Sequence, residues 1–228
     1  MGMIGAGDRA QIHYSSLAEM NDVEIAALCD LNEGKLNTTA ERYQIKNKFT
    51  DYKLMLERMD LDGIYIIMQS YYLDPIVTYC LDQGKNVFIE KPPGIAAEQT
   101  QKWANLALKK NCKTMVGFQR RFHPISVKAK RIVEERSKIL YCMASFHKHQ
   151  LSSPPRQWME IIQGRESSSQ FPTSYSGYSV RVVNQLLDDA IHAVDMLIWM
   201  GGEVRRVNSL LGQLYADPIY FDPLHINF

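Results

Sequence analysis

The chain has 228 residues, of which 46% are hydrophobic, 10% aromatic and 22% charged. These values predict a folded protein of one large or two modest domains and exclude a disordered chain, a collagen-like repeat and a coiled coil. The 26 Lys and Arg residues nearly balance the 25 Asp and Glu residues, for a formal net charge of +1. No global charge therefore favours nucleic acid or an anionic membrane as a partner.

The cysteines and the N-terminus give no sign of secretion. The four cysteines are widely spaced without a C-x-x-C pair, which predicts buried free thiols rather than a zinc ribbon or a disulfide framework. The first residues lack the basic and apolar regions of a signal peptide, and no long apolar run indicates a membrane span. We therefore expect a cytoplasmic protein.

Up to residue 118, short apolar runs alternate with longer amphipathic stretches, a pattern typical of a parallel sheet with crossover helices. The predicted strands are residues 3–4, 23–29, 63–68, 86–90 and 113–118. The predicted helices are residues 9–20, 33–44, 51–58, 73–83 and 96–110. Residues 1–118 are thus predicted to form a doubly wound α/β domain that binds a dinucleotide.

From residue 119 the pattern changes, and we assign residues 119–228 to a second domain. Its predicted elements are a helix at 126–137, a strand at 139–147, a helix at 184–200 that stops at Gly201 and Gly202, and a strand at 204–214. Residues 152–179 are rich in Ser, Pro and Gly with interleaved aromatic residues, which fits either a flexible linker or a loop over a site.

Residues 5–10 read GAGDRA, after a strand fragment and at the start of a predicted helix. Gly5 permits a tight turn, Gly7 lets the backbone approach a pyrophosphate, and Ala10 is small enough for close packing of the helix. Asp30 ends the second predicted strand, where a carboxylate can accept hydrogen bonds from the adenosine ribose and would repel a 2′-phosphate. The pattern predicts NAD binding, with NADP as the alternative.

Glu90 and Lys91 follow the predicted strand at 86–90, and two prolines follow them. Ligands of open α/β sheets bind outside the carboxyl ends of the strands, so we expect Lys91 near the nicotinamide, where an ammonium can stabilise an oxyanion. A solvated lysine with no chemical role is the alternative reading.

Asp188, His192 and Asp195 share one face of the last predicted helix, because they are spaced by four and three residues. The imidazole can take a hydroxyl proton, and the carboxylate one turn earlier can orient it. A structural Asp and His pair is the alternative. An adjacent apolar stripe is predicted to pack on a sheet: Leu187, Ile191, Val194 and Ile198.

Taken in order, these motifs resemble the Gfo/Idh/MocA family, which contains glucose-fructose oxidoreductase and inositol dehydrogenase. The resemblance rests on GAGDRA at 5–10, EKPP at 90–93, VGFQRRF at 116–122 and LDDAIHAVD at 187–195, and covers essentially the whole chain. It implies a Rossmann domain followed by an α/β domain with an open, mostly antiparallel sheet. It also implies hydride transfer between NAD or NADP and a sugar, inositol or related polyol, in a homodimer or homotetramer assembled through that sheet.

The resemblance also implies roles for individual residues. Lys91, Asp188 and His192 match the family's catalytic residues, and we add Arg121 to them as a substrate-binding candidate with an open role. The expected cofactor-binding residues are Gly5, Gly7, Asp8, Arg9, Ala10, Asp30, Met68, Gln69, Glu90 and Lys91. His192 would remove the hydroxyl proton, Lys91 would stabilise the developing alkoxide, and Asp188 would tune His192.

The chain departs from the family pattern at two places near the expected site. Many members have Thr-Pro and a later His where this chain has Met68, Gln69 and Leu73. Many also have a glycine-rich turn where residues 181–185 read RVVNQ. The nicotinamide end and the substrate pocket are therefore expected to be unusual.

Two alternative functions remain open: a nonenzymatic dinucleotide-binding sensor or scaffold, and an NAD-dependent glycosidase of the same family. No metal is expected, although His147 and His149 would share one face of a strand. The chain is also shorter than typical members, so we expect an incomplete substrate domain. If the protein ended at Phe228, exposed sheet edges and poor solubility would follow.

Overall fold

The computed structural model describes residues 1–136, 139, 141–144, 174–175, 178–179, 190–210 and 225–227. The chain divides into two compact units, Met1–Gly117 and Phe118–Phe228.

The first unit is built on a six-stranded parallel sheet with the order β3-β2-β1-β4-β5-β6. Its strands are β1 (Gly2–Ile4), β2 (Ala27–Cys29), β3 (Asn47–Phe49), β4 (Gly63–Ile66), β5 (Asn86–Ile89) and β6 (Thr114–Val116). The strand order reverses between β1 and β4, which pair in register from Gly2 with Ile64 to Ile4 with Ile66. In such sheets the ligand crevice lies at this reversal, outside the carboxyl ends of the strands. The predicted doubly wound α/β domain is confirmed.

Five helices of this unit connect the strands: α1 (Asp8–Ala18), α2 (Glu33–Arg42), α3 (Tyr52–Arg58), α4 (Leu73–Asp82) and α5 (Ala97–Lys110). Side-chain hydrogen bonds cap the N-termini of two of these helices, α2 and α3. The Asn32 side chain accepts a hydrogen bond from the Lys35 amide at 3.0 Å, and that of Asp51 accepts one from the Lys53 amide at 2.8 Å. These N-caps satisfy amides that the helix itself leaves unpaired.

Side-chain alternation along the strands divides the core between the two faces of the sheet. Met3 and Leu28 belong to the face covered by α1 and α2. Ile4 and Cys29, one residue later in each strand, belong to the face covered by α3, α4 and α5. Both faces of the sheet are therefore covered by helices, as parallel sheets require.

β3 was not predicted from the sequence, and several of the predicted strands are longer than those observed. β3 carries Asn47 and Lys48, both exposed, so it lacks the apolar run that identified the other strands. The strands predicted at residues 23–29 and 63–68 are Ala27–Cys29 and Gly63–Ile66, because their remaining apolar residues lie in the flanking loops.

The second unit begins with a 3₁₀ turn at Gln119–Phe122, followed by α6 (Pro124–Arg136) and later by α7 (Ile191–Gly201). Its described ladders are antiparallel: β7 (Ser174–Tyr175) pairs with β8 (Tyr178–Ser179), and β9 (Asn208–Leu210) pairs with β10 (His225–Asn227). Gly202 caps α7 with a positive φ of 94°, which confirms the predicted stop.

Two sequence predictions for this unit differ from the described residues. Ile139 and residues 141–144 form no strand, and Tyr141 and Met143 are 81% and 74% exposed, so the apolar run at 139–147 does not reflect a buried strand in its described part. The strand predicted at 204–214 is Asn208–Leu210 within the described residues, and residues 204–207 before it carry no regular structure. Of the predicted elements, residues 137, 140, 145–147, 184–189 and 211–214 lie outside the described part.

None of the helices in the described residues is long and apolar enough to cross a membrane.

Candidate functional site

The glycine turn is fixed to the sheet at the strand-order reversal. Gly5 adopts a φ of +109°, and a Cβ there would lie 2.1 Å from the carbonyl oxygen of Ile67. Its amide donates to the Cys29 carbonyl at 2.8 Å, and the Tyr14 hydroxyl donates to its carbonyl at 3.1 Å. The close approach of Gly5 to the end of β4 leaves no room for a side chain, which explains the first glycine of the motif.

Gly7, in contrast, faces open space at the start of α1. It is the N-cap residue of this helix, and a Cβ built on it would meet none of the described atoms within 4 Å. The amides of the first helical turn have no acceptors within the helix and favour an anion. Ala10 is fully buried, while Asp8 and Arg9 are exposed. The turn thus has the space and the donors that a pyrophosphate needs.

The Asp30 carboxylate lies beside this turn, directly after β2. Its Oδ2 atom accepts a hydrogen bond from the Ala6 amide at 2.6 Å, and its Oδ1 atom accepts one from the Asn32 amide at 2.8 Å. A carboxylate offers about four acceptor positions, so it can also accept from the two hydroxyls of a ribose. The residues present at the turn therefore fit a dinucleotide with a free 2′-hydroxyl.

Glu90 connects the Lys91 loop with the first turn of α1. Its Oε1 atom accepts a hydrogen bond from Arg9 Nε at 2.6 Å, and its Oε2 atom accepts one from the Lys91 amide at 2.9 Å. The Glu90 side chain is 6% exposed, against 49% for Arg9. Lys91 itself is half-buried and follows the carboxyl end of β5. The structure thus places Lys91 at the edge of the sheet where ligands of such folds bind.

Met68, Gln69 and Leu73 follow β4 and occupy different environments. Met68 packs against the core, Gln69 is exposed, and Leu73 is fully buried in the core between the sheet and its helices. The position at which many family members carry a histidine is therefore part of the hydrophobic core here. A cofactor role for Met68 and Gln69 stays a prediction.

In the second unit, α7 presents its polar residues to the interior. His192 and Asp195 are 7% and 5% exposed, while Ile198 is 41% exposed. The sequence prediction is therefore wrong in part, because it expected the apolar stripe that includes Ile198 to be the buried face. The reason is a buried ion pair: Asp195 receives the Arg121 guanidinium, whose Nε atom donates to both of its oxygens at 3.0 and 2.9 Å and whose Nη2 atom donates to Oδ1.

Phe118 contacts both His192 and Arg121. Its ring meets the imidazole edge-on with centroids 6.5 Å apart, and the Arg121 guanidinium lies 5.6 Å from its centroid. The structure thus brings Arg121 and His192 into one cluster. Asp188 lies outside the described residues, as do residues 181–185, and Lys91 belongs to the other unit. The combination of Lys91, Asp188 and His192 as catalytic residues therefore stays a prediction.

Sequence reasoning missed the partners that hold these residues in place. The pairing of Arg9 with Glu90 spans 81 positions, and that of Arg121 with Asp195 spans 74. A single sequence gives no signal for such distant pairs. Among the described residues, no group of three or more His, Cys, Asp or Glu side chains could hold a metal ion. His147 and His149 lie outside the described part.

The parallel sheet, the glycine turn and Asp30 together define a dinucleotide-binding Rossmann domain. A family model described as "Oxidoreductase family, NAD-binding Rossmann fold" matches residues 1–118. The chain therefore belongs to the Gfo/Idh/MocA family of oxidoreductases, and its first unit is the NAD-binding domain of that family.

Individual relatives agree with this assignment. The chain is 29% identical over 133 residues to the uncharacterized oxidoreductase YrbE of Bacillus subtilis, covering 58% of this chain and 39% of the relative. It is 24% identical over 206 residues to an inositol 2-dehydrogenase of Salmonella typhimurium, covering 89% of this chain and 54% of the relative. The chain thus spans about half the length, or less, of these curated relatives.

The fold also matches a solved structure. The crystal structure of a myo-inositol 2-dehydrogenase from Lactobacillus plantarum superposes with a TM-score of 0.74 at 23% identity, covering 97% of this chain and 63% of that one. At this identity the match establishes the fold.

Proposed function

We propose that this protein is an NAD-dependent dehydrogenase that oxidises a CH–OH group of a sugar, an inositol or a related polyol. The observation that carries the proposal is the placement of Lys91 at the carboxyl end of β5, in the same unit as the glycine turn. A lysine at this edge of the sheet is suited to act on a substrate oxygen beside a bound dinucleotide. The likeness to an inositol 2-dehydrogenase supports a polyol substrate.

The proposed roles of the residues follow from their chemistry. The turn at Gly5, Gly7 and Ala10 binds the pyrophosphate, and Asp30 binds the adenosine ribose. NAD, when bound, supplies the hydride acceptor. The Lys91 ammonium stabilises negative charge on the substrate oxygen, and the His192 imidazole removes the hydroxyl proton. Asp188, four positions before His192 in the sequence, is proposed to orient this imidazole.

The first experiment measures NAD affinity by calorimetry and NADH formation across a panel of inositols, sugars and other polyols. We expect micromolar to millimolar NAD binding and turnover of at least one polyol, with KM values in the range usual for enzymes. Lys91→Met and His192→Asn are expected to lower kcat by about 100-fold or more, because the first removes the cation that stabilises the developing negative charge and the second removes the base that takes the proton. Lys113→Met, which replaces an exposed lysine in the first unit, is the matched control.

The other outcomes separate the alternatives. NAD binding without turnover on any substrate would favour the sensor or scaffold. Release of a free sugar from a glycoside without net NADH formation would favour the glycosidase. Native mass measured on the same sample tests the expected homodimer or homotetramer.

A further inference from the structure

The ion pair of Arg9 and Glu90 joins two loops to which the proposed function gives different tasks. Arg9 is the second residue of α1, directly after the glycine turn that would bind the pyrophosphate. Glu90 directly precedes Lys91, which would act on the substrate next to the nicotinamide. The two residues are 81 positions apart, and their side chains meet at 2.6 Å.

Glu90 is held by one hydrogen bond at its backbone and one at its side chain besides that from Arg9, which makes it the fixed member of the pair. Its backbone amide donates to the Ile66 carbonyl at 3.1 Å and continues the pairing of β5 with β4. Its Oε2 atom accepts the Lys91 amide, and a Cβ at Gly117 would lie 2.5 Å from that atom. The end of β6 therefore has room for the carboxylate because residue 117 carries no side chain.

The arrangement is poorly explained by stability alone. Burying a carboxylate has a desolvation cost that an ion pair roughly offsets, and an apolar pair of similar volume is often as stable. The pair also fixes geometry, because the Glu90 carboxylate sets both the position of the Arg9 side chain and the position of the Lys91 backbone.

We propose that Arg9 and Glu90 form a positioning clamp that holds the glycine turn and the Lys91 loop at a fixed separation. With that separation fixed, the pyrophosphate and the nicotinamide end of one NAD molecule bind without a rearrangement of either loop. Arg9 then acts through Glu90 and is not a ligand of the phosphates. The clamp rests on the proposed function, because it presumes that NAD spans the two loops.

The test is a double-mutant cycle of Arg9→Met, Glu90→Gln and the double variant, with NAD and ADP as probes. ADP carries the diphosphate and the adenosine but does not extend to the Lys91 loop. Each single variant is expected to weaken NAD binding about tenfold, and the double variant no further, because either change opens the same clamp. ADP affinity is expected to stay within about twofold in all variants. Arg9→Lys, which keeps a cation for Oε1, is expected to recover most of the NAD affinity.

Three results would overturn the clamp. Additive losses in the double variant would mean that Arg9 and Glu90 act independently. Weaker ADP binding in Arg9→Met but not in Glu90→Gln would make Arg9 a phosphate ligand. Unchanged NAD affinity in both single variants would show that the pair of Arg9 and Glu90 has no role in NAD binding. If Glu90→Gln does not fold, as judged by circular dichroism, the NAD and ADP affinities of Arg9→Met and Arg9→Lys still decide between clamp and ligand.

If the unsubstituted chain bound no NAD, the proposed function would fall and the clamp with it, whereas NAD binding with additive losses would overturn the clamp alone.

Discussion

Arg121 binds Asp195 through both the Nε atom and the Nη2 atom of its guanidinium, and Asp195 lies one helical turn after His192 on α7. The Asp195 side chain is 4% exposed, and that of Arg121 is 35% exposed. Arg121 belongs to the 3₁₀ turn at the start of the second unit, so the pair fixes α7 to this turn. The position of His192 therefore depends on an ion pair that does not include the imidazole.

Replacing Arg121 with Met is expected to loosen α7, because the change leaves a buried carboxylate without its cation. The expected loss of stability is about 2–3 kcal/mol, at or below the lower end of the roughly 3–5 kcal/mol seen when a buried pair is broken, because Arg121 is 35% exposed. Hydrogen exchange of the α7 amides measures the effect. Arg121→Lys keeps the positive charge but not the bidentate hydrogen bonding, and it is expected to lose less stability than Arg121→Met. Unchanged exchange in Arg121→Met would show that the pair does not hold α7.

The two glycines of the turn are expected to respond to alanine in opposite ways. Gly5→Ala combines a left-handed φ of +109° with a Cβ 2.1 Å from a backbone oxygen, so it is expected to cost about 3 kcal/mol or more of unfolding free energy. Gly7→Ala meets no described atom and has a φ of −72°, so its stability is expected to stay within about 1 kcal/mol. The NAD affinity of Gly7→Ala is expected to fall at least about tenfold, which corresponds to ~1.4 kcal/mol of binding free energy. The added Cβ would occupy the space through which the pyrophosphate approaches the backbone.

Denaturant unfolding and NAD titration of both variants check this contrast, each variant serving as the control for the other. If Gly7→Ala bound NAD with unchanged affinity, the pyrophosphate would not lie against the turn. If Gly5→Ala were as stable as the unsubstituted protein, the close approach to Ile67 would be wrong.

The sequence predicted the parts of the fold that local rules control. Alternating apolar runs located five of the six strands of the first unit, and the glycine spacing located the turn, because both depend on neighbouring residues. β3 was missed because an exposed edge strand of three residues needs no apolar pattern. The burial of Asp195 was not foreseen, because it depends on a partner 74 positions away. Local patterns thus identify the candidate residues, whereas the ion pairs that orient those residues are found only in the three-dimensional structure.

Asp30→Asn is expected to reduce the preference for NAD over NADP. The change removes the negative charge that would repel a 2′-phosphate, while the amide oxygen can still accept one of the two amides now bound by the carboxylate. We expect the ratio of the NADP and NAD dissociation constants to fall on the order of tenfold, or about 1.4 kcal/mol. This lies between the repulsion of like charges about 4 Å apart in bulk water, roughly 1 kcal/mol, and that near a protein surface, about 4 kcal/mol. Calorimetric titration with both cofactors measures this ratio. Asp22→Asn, at an exposed position, is the control, and an unchanged ratio in Asp30→Asn would exclude Asp30 as the discriminating residue.

His13 is expected to make stability depend on pH. Its ring meets Tyr65 and Phe88 edge-on, with centroids 6.2 and 5.7 Å away, and those two rings stack at 4.1 Å. Burial lowers the pKa of His13 below its ordinary value of 6.5, an effect that the Glu90 charge opposes and the Arg9 charge reinforces. The folded protein therefore favours the neutral imidazole.

A lowered pKa fixes the sign of the pH effect. As the pH falls below 6.5, the unfolded chain binds a proton on this residue while the folded chain does not, so stability decreases until the pH reaches the folded pKa. The full contribution of the neutral His13 imidazole to stability is present above pH 6.5. His13→Phe keeps an aromatic ring and removes the titration, so its unfolding free energy is expected to fall less than that of the unsubstituted protein between neutral and mildly acidic pH. Denaturant unfolding at both pH values measures the difference, with His123→Gln as a control for the loss of one exposed histidine. An equal fall in His13→Phe would assign the acid sensitivity to other groups.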